Sequence, residues 1–392
     1  MPNLHIALCT DGIFPLAVGG MQRHSRLLAE HLCQLDGIRL TVFHPHTERL
    51  FDPALHIREV QVAEISTERL YLRELWNYSG RMGAALSAEM AKPDGPTVIL
   101  SQGFSIWQGI HRFSRRLMVH PHGLEMFQGL TMKERAMGWP FRRLVRHVAR
   151  NSAAVVSLGG KLTPILEQLV AGSPSGVVVL PNAVEVPVAA APYPPGAGSL
   201  QLLFVGRFAS NKGIDLLMEV AHRLQDESWG QRVRFNLAGG GPLLAHYKAR
   251  GLPPNVSLLG RVDDEQLHRL YTECHAFVLP TRFEGMPTVV LEAMARARPV
   301  LVSNVGATGD LVADGKSGFL LPAGNSEALY MAIRRFAEMD PGQRRDMGLE
   351  GYRCAKARFA WPVVAKLHAE ALSSLSTHAA RGNGAVHSSA AS

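Results

Sequence analysis

What most restricts this chain is a rhythm. Short uninterrupted aliphatic runs are each followed by enough residues for a helix, and the series is broken once by a proline-rich stretch and then resumed. The first series is LHIALCT (4–10), IRLTVFH (38–44), TVILSQ (97–102), RRLMVH (115–120), AAVVSL (153–158) and GVVVLPN (176–182). A strand with one wet face would alternate apolar and polar residues; most of these runs do not, which is the pattern of parallel strands buried on both faces. Among the intervening segments, MQRHSRLLAEHLCQL (21–35) repeats its apolar residues at spacings of three and four, the period of a helix. Parallel neighbours need a crossover, so the series reads as βαβ units of a doubly wound α/β sheet. VPVAAAPYPPGAGS (186–199) fits neither a helix nor a central strand, because its prolines lack the N–H that both would use. After it the rhythm restarts with LQLLFVG (200–206), VRFNLAG (233–239), NVSLLG (255–260), HAFVLP (275–280) and PVLVS (299–303). The expected organisation is a first domain over 1–185, a linker over 186–199 and a second domain over 200–360, with a cleft between the two. A C-terminal helix over 361–375, with the option of packing back on the first domain, and a structureless tail over 376–392 complete it.

The bulk numbers agree with two cores. A chain of 392 residues exceeds one ordinary core, and 46% hydrophobic against 19% charged residues is a globular composition. No apolar run reaches the roughly 20 residues that cross a bilayer, and the start, MPNLHIALCTDGIFP, does not read as a secretory leader. Cys9, Cys33, Cys274 and Cys354 show no CxxC spacing, which argues against a disulfide framework and a zinc site and fits a cytoplasmic protein. The net charge of +8 is concentrated: residues 112–150 hold nine Lys/Arg against Glu125 and Glu134. Arg142, Arg143, Arg146 and Arg150 fall at helical spacing, so one helix face is basic, either simply solvated or opposed to an anionic membrane surface at its inner face. Aromatic interleaving and nucleic-acid motifs are absent, which leaves nucleic acid out as a partner.

In an open parallel sheet, ligands bind beyond the carboxyl ends of the strands, and four loops there stand out. GGMQRH (19–24) opens a helix with two glycines, which lets a phosphate approach free backbone N–H groups. FVGRFASNKGIDLL (204–217) carries Arg207 and Lys212 from a strand end to a helix start, a forked donor and a point charge suited to a diphosphate. Two loop cations in water would look the same. LAGGGPL (237–243) is a glycine turn but not a dinucleotide fingerprint, since the last glycine would fall on Leu244, and no GxxxxGK[ST] occurs. TRFEGMPTVVLEAMA (281–295) places Glu284 in a loop and Glu292 on the following helix, with Pro287 in its first turn and Gly285, Met286, Pro287 and Thr288 turning backbone toward the ligand. Two carboxylates there can each hold sugar hydroxyls, one set on a transferable hexose and one on a ribose.

Taken together, GGM, VGRF…NKG, AGGGP, E-G-x-P with a second Glu, PNAV (181–184) and VHPHG (119–123) resemble the retaining glycosyltransferases of family 4, over roughly residues 4–370. The resemblance implies the GT-B fold: two Rossmann-like doubly wound domains facing a cleft. It implies catalytic roles for His122, Glu284, Arg207 and Lys212, the last two on the donor diphosphate with the Gly20 backbone. Glu284 would contact the transferred sugar, Glu292 the ribose, and the backbone at Arg261-Val262 the base, while His122 would lie at the reacting sugar. If strand alternation continues there, His120, two residues earlier, is expected to point to the other face. The implied activity is transfer of a hexose from a nucleoside diphosphate sugar to a hydroxyl acceptor, saccharide or lipid-linked, in cell-surface glycan, polysaccharide or glycolipid synthesis. It implies no cofactor, and with no D-x-D in the chain no metal is expected. SNVGATGDL (303–311) departs from the family's glycine-rich segment at Ala307 and Asp310, which bears on sugar specificity. A sugar-nucleotide epimerase of the same build and a non-catalytic nucleotide-sugar-binding protein remain the alternatives.

Overall fold

A computed structural model of the protein describes residues 4–17, 19–63, 71–127, 132–195, 198–227 and 229–387. The chain forms two compact units, one of residues 1–181 with 361–392 and one of residues 182–360.

The first unit is built on seven parallel strands: β1 (Leu4–Cys9), β2 (Ile38–His44), β3 (Arg58–Gln61), β4 (Val98–Gln102), β5 (Leu117–His120), β6 (Ala154–Ser157) and β7 (Gly176–Val179). They lie in the order β3-β2-β1-β4-β5-β6-β7. Its helices are α1 (Gly20–Leu32), α2 (Tyr71–Met90), α3 (Met132–Met137), α4 (Trp139–Arg150) and α5 (Leu162–Val170). The central strands are continuously apolar because helices cover them: Ala7, Cys9, Ile99, Leu117 and Val119 share a buried cluster with Tyr78, Met82 and Leu86 of α2. Each of the larger aliphatic side chains and Met82 contributes about 1.5–3 kcal/mol through burial. Tyr78 reaches the end of β1, where its hydroxyl donates to the Thr10 carbonyl at 2.6 Å. The edge strand β3, sequence REVQ, carries no aliphatic run, and the sequence pattern does not announce it.

The second unit has six parallel strands: β8 (Leu200–Val205), β9 (Val233–Ala238), β10 (Val256–Gly260), β11 (Ala276–Leu279), β12 (Val300–Ser303) and β13 (Gly318–Leu321). Their order is β10-β9-β8-β11-β12-β13. The helices are α6 (Ile214–Asp226), α7 (Leu244–Arg250), α8 (Asp264–Glu273), α9 (Thr288–Ala295), α10 (Thr308–Leu311), α11 (Ser326–Glu338) and α12 (Pro341–Cys354). In both sheets the strand order reverses beside the first strand of the unit, between β1 and β4 and between β8 and β11. At such a reversal the loops diverge to opposite faces and leave a crevice at the carboxyl edge.

Three boundaries differ from the sequence reading. The first unit ends at Pro181, not at 185. The stretch 186–199 is no free linker: its described part is laced to the second unit, with Tyr352 donating to the Pro187 and Val188 carbonyls and the buried Arg298 to that of Pro192. Proline-rich chain has carbonyls to offer even where it lacks N–H groups, and these arginine and tyrosine donors use them. Finally, α13 (Trp361–His387) continues past 375, so the expected tail is helical as far as 387, and 388–392 lie outside the described residues. The reason is a buried stripe, Val364, Ala365, His368, Ala369, Leu372 and Ala379, that keeps one helix face against the first unit beyond that point. There α13 packs on α1, β1 and β4.

Candidate functional site

In the second unit the site is assembled from the loops after β8 and β11, which flank the strand reversal. The chain leaves β8 through Gly206 and Arg207, makes a 3-10 turn over Ser210–Lys212 and enters α6 after Gly213. Gly213 has φ +70°, and a Cβ there would stand 2.0 Å from the Pro280 carbonyl oxygen. Only glycine lets the two loops approach this closely. Once in contact they are tied together: the Arg282 N–H and the Thr281 hydroxyl both donate to the Asn211 carbonyl, at 2.7 and 2.9 Å. The Arg282 guanidinium forks onto Asp215 in the first turn of α6, Nη1 to Oδ1 at 2.8 Å. As a result the Lys212 ammonium donates directly to the Glu284 carboxylate, and both side chains are mostly buried. Arg207 is exposed, and its guanidinium has no hydrogen-bond or ion-pair partner among the described residues.

The turn Glu284–Pro287 is held from behind. Asn182, in PNAV, donates its amide to the Met286 carbonyl at 2.7 Å. Ala307 N–H donates to the Gly285 carbonyl at 2.9 Å, and Gly306, at φ +53°, would drive a Cβ to 2.3 Å from the Glu284 and Gly285 carbonyl oxygens. Pro287 is the N-cap of α9, one residue before the first-turn position expected, and no side chain caps that end among the described residues. Thr288 begins the helix, and Glu292 follows in its second turn, where the hydroxyl of the buried Tyr271 donates to its carboxylate at 2.9 Å. Val262 is half-buried beside exposed Arg261, and the Asp263 carboxylate fixes that turn by capping α8 through Gln266 N–H at 2.7 Å. The structure thus brings Lys212 to Glu284 and places Arg207, Gly285, Met286, Pro287, Thr288 and Glu292 at the same sheet edge.

In the first unit the carboxyl edge holds Gly20 and His122. Gly20 is the exposed first residue of α1, and a Cβ there would meet nothing within 4 Å. The protein's own packing does not require glycine at that position. His122 follows β5 in the left-handed region, φ +61°, a strained conformation for a residue with a side chain. It is pinned twice: its N–H donates to His120 Nδ1 at 3.1 Å, and its ring Nε2–H donates to Gln102 Oε1. The register pairs Gln102 with His120, which puts both on one sheet face beside the histidine loop. His120 therefore does not point away; its ring stacks on that of His122 with centroids 3.9 Å apart and planes 15° apart. The left-handed turn at His122 folds its N–H back onto His120 Nδ1 and brings the two rings together. Burial, followed by the neighbouring His368, pushes the His122 imidazole down to about 3, so it is neutral at physiological pH. Asp11, just past β1 at the strand reversal, went unnoticed in the sequence; burial raises its carboxyl to about 6 and Gln22 lies 3.5 Å away.

The basic face is smaller than its four arginines promise. Arg142 donates to the Met126 carbonyl at 2.8 Å, and Arg150 caps the end of α5 through the carbonyls of Leu169 and Ala171 at 3.2 and 2.7 Å. Arg146 is exposed, and Arg143 is exposed with its guanidinium 4.2 Å from the Trp139 ring centre. No helix among the described residues is long and apolar enough to cross a membrane, and all four cysteines are free thiols.

Gln102, Asn182, Tyr271 and Arg282 are the site residues that sequence reasoning missed. Asn182 and Arg282 lie inside stretches that the sequence singles out, PNAV and TRFEGMPTVVLEAMA, without a role of their own there, and Gln102 shows as a polar residue ending an aliphatic strand at the ligand edge.

Comparison with known proteins bears on both units. Residues 18–187 match the model of Glycosyltransferase Family 4, and residues 199–339 that of Glycosyl transferases group 1. An alpha-D-kanosaminyltransferase of Streptomyces kanamyceticus is 31% identical over 150 residues, 37% of this chain and 38% of that protein, so the match spans well under half of that relative. The sucrose-phosphate synthase of Thermosynechococcus elongatus superposes over 95% of this chain and 99% of its own, with TM-score 0.76 and 21% identity. HepE of Anabaena in complex with UDP-glucose superposes over 94% of this chain and 99% of its own, with TM-score 0.66 and 18% identity. Two parallel doubly wound units and two family matches lead to one conclusion: the chain belongs to glycosyltransferase family 4 and has the GT-B fold.

Proposed function

We propose that the protein is a retaining hexosyltransferase that takes its sugar from a nucleoside diphosphate donor. The acceptor is a hydroxyl of a saccharide or lipid-linked glycan, in polysaccharide or glycolipid synthesis. One observation carries the reading: Lys212 and Glu284, from the two loops that flank the strand reversal, meet as a cation and a carboxylate, and the loop that brings Lys212 also carries the exposed Arg207, without a partner among the described residues. A structural ion pair would not need an exposed guanidinium in the same loop at a ligand edge. The UDP-glucose held by the Anabaena neighbour supports the choice of donor class.

In this reading the diphosphate replaces Glu284 as the partner of Lys212 and engages Arg207, and the freed carboxylate accepts hydrogen bonds from the transferred sugar. Glu292, fixed by Tyr271, holds the ribose, the backbone at Val262 faces the base, and the Gly20 backbone adds N–H groups to the phosphates. As the bond from anomeric carbon to phosphate oxygen breaks, its electron pair passes to that oxygen. Arg207 and Lys212 stabilise the growing charge, and the same oxygen takes the proton of the incoming hydroxyl on the same face of the sugar. His122 contacts the reacting sugar. Neither a metal nor a cofactor enters the scheme.

The test is turnover of UDP-, GDP- and ADP-sugars, with and without acceptors, in EDTA. Arg207→Ala should lower turnover at least a hundredfold, about 3–4 kcal/mol of lost charge stabilisation, with an unchanged melting temperature. Native turnover in that variant would remove the diphosphate assignment, and dependence on added metal would contradict the metal-free scheme. Isomerised donor without transfer would identify an epimerase, and binding without turnover a sugar-nucleotide-binding protein.

A further inference from the structure

Behind His122 lies a group of polar atoms that the proposed reaction does not use. His24 on α1, His120 at the end of β5 and His368 on α13 are all buried, and one nitrogen of each lies within 4.8 Å of the others. Nε2 of all three has no hydrogen-bond partner among the described residues. Three buried imidazole nitrogens without partners would cost several kcal/mol, so something must satisfy them.

A metal ion is the first candidate, and the hydrogen bonds argue against it. His120 Nδ1 accepts the His122 N–H at 3.1 Å, so the neutral ring carries its proton on Nε2 and has no lone pair there for a metal. To ligate, His120 would have to move its proton to Nδ1, against the His122 N–H, and give up the contact that holds His122. His368 is the opposite tautomer: its Nδ1–H donates to the Val364 carbonyl at 2.9 Å, which leaves Nε2 as an acceptor. The trio therefore presents one donor, one acceptor and, in His24, a nitrogen that can be either. This is the complement of a water molecule. Two hydrogen-bond partners of one water, each at about 2.8 Å and tetrahedrally disposed, stand roughly 4.6 Å apart, and one nitrogen of each of the three rings lies within 4.8 Å of the others.

We propose that His24, His120 and His368 enclose one buried water through their Nε2 atoms, and that this bridge makes His120 a positioning residue for His122. The water accepts from His120 Nε2–H and donates to His368. His120 is thereby held in the tautomer whose Nδ1 lone pair receives the His122 N–H. That bond holds His122 at φ +61°. In this way α13, through His368, supports the loop that carries His122. The inference rests on reading His122 as the residue at the reacting sugar.

Two amide substitutions separate the limbs of His120. Asparagine places its carbonyl oxygen where Nδ1 stands and keeps the His122 N–H contact; glutamine reaches toward Nε2 and loses it. His120→Asn should lower kcat about threefold and His120→Gln at least thirtyfold, with the donor KM nearly constant in both. A purely space-filling role predicts the reverse order, because glutamine is the closer match in volume. Equal losses, or the reverse order, overturn the proposal. A second measurement does not depend on catalysis: ring nitrogen NMR shifts of the full chain should show His120 protonated on Nε2 and His368 on Nδ1. His120 protonated on Nδ1 overturns it, as would tetrahedral cobalt absorption that disappears in His368→Leu. Correct tautomers alongside a silent His122→Ala would leave the frame standing and remove the substrate-facing reading of His122.

Discussion

Glu284 and Glu292 show how one residue type acquires two tasks from its surroundings. Glu284 is held by Lys212, a partner that a diphosphate can take away, whereas Glu292 is held by the hydroxyl of a buried tyrosine that no ligand displaces. The first is poised to rearrange and the second is fixed. If Glu284 contacts the transferred sugar, whose bonding changes in the transition state, Glu284→Gln should lower kcat even at saturating donor. If Glu292 holds a ribose that is unaltered in the reaction, Glu292→Gln should mainly raise the donor KM. Initial rates against donor concentration check both; two silent variants would reduce the pair to surface carboxylates. The positions of both glutamates, one in the loop and one on the helix, were readable from E-G-x-P and the spacing to the second Glu. The Lys212 contact was not, because it depends on two loops 72 residues apart meeting at a sheet edge. The position of Tyr271 likewise follows from tertiary packing, which carries no local signal.

At the level of elements, the glycine loops divide into those the fold needs and those it does not. Gly213 sits between a 3-10 turn and α6 at positive φ, against the Pro280 carbonyl, so Gly213→Ala must push the β8 and β11 loops apart. It should cost at least about 1 kcal/mol of strain, and more where the loops cannot separate, so both melting temperature and turnover fall. Gly20 heads α1 with open space where a Cβ would go, so Gly20→Ala should leave the melting temperature unchanged. If donor phosphates approach that backbone, the same substitution weakens donor binding; unchanged affinity would take Gly20 out of the site. The strands that pack between helices were readable from their aliphatic runs, since burial on both faces removes polar residues from them. Edge strand β3 was hidden, as REVQ is exposed or half-buried along its length. The far half of α13 was hidden too, because small polar residues there obscure a stripe that continues through Ala379.

For the molecule as a whole, the two units are expected to respond differently to acid. The first unit contains His24, His120, His122 and His368, all with imidazoles pushed below their ordinary range by burial; His122 falls to about 3 and His368 to about 4. His5 and His44 shift the same way, also through burial. An unfolded chain protonates its histidines near pH 6.5, so between that value and the folded values the unfolded state binds more protons. Stability therefore falls as pH drops through the window, by roughly 1 kcal/mol per pH unit for each histidine involved. Asp11 works in the other direction: its carboxyl is raised to about 6, so between about 4 and 6 the folded state holds the extra proton and acid favours it. One carboxyl offsets only one of the histidines. In the second unit, His275 is the described histidine with a lowered value, and Asp215, whose carboxyl the Arg282 guanidinium holds low against the opposing effect of burial, loses stability only in stronger acid. The first unit should therefore open first. Hydrogen exchange at pH 7 and pH 5 is expected to show protection lost in α1, β4, β5 and α13 while β8, β9 and β11 stay protected. Replacing His368 with leucine should make the acid slope of the first unit shallower, whatever it does to stability at pH 7. Parallel loss in both units, or an unchanged slope in His368→Leu, would mean that the buried histidines do not govern the acid response.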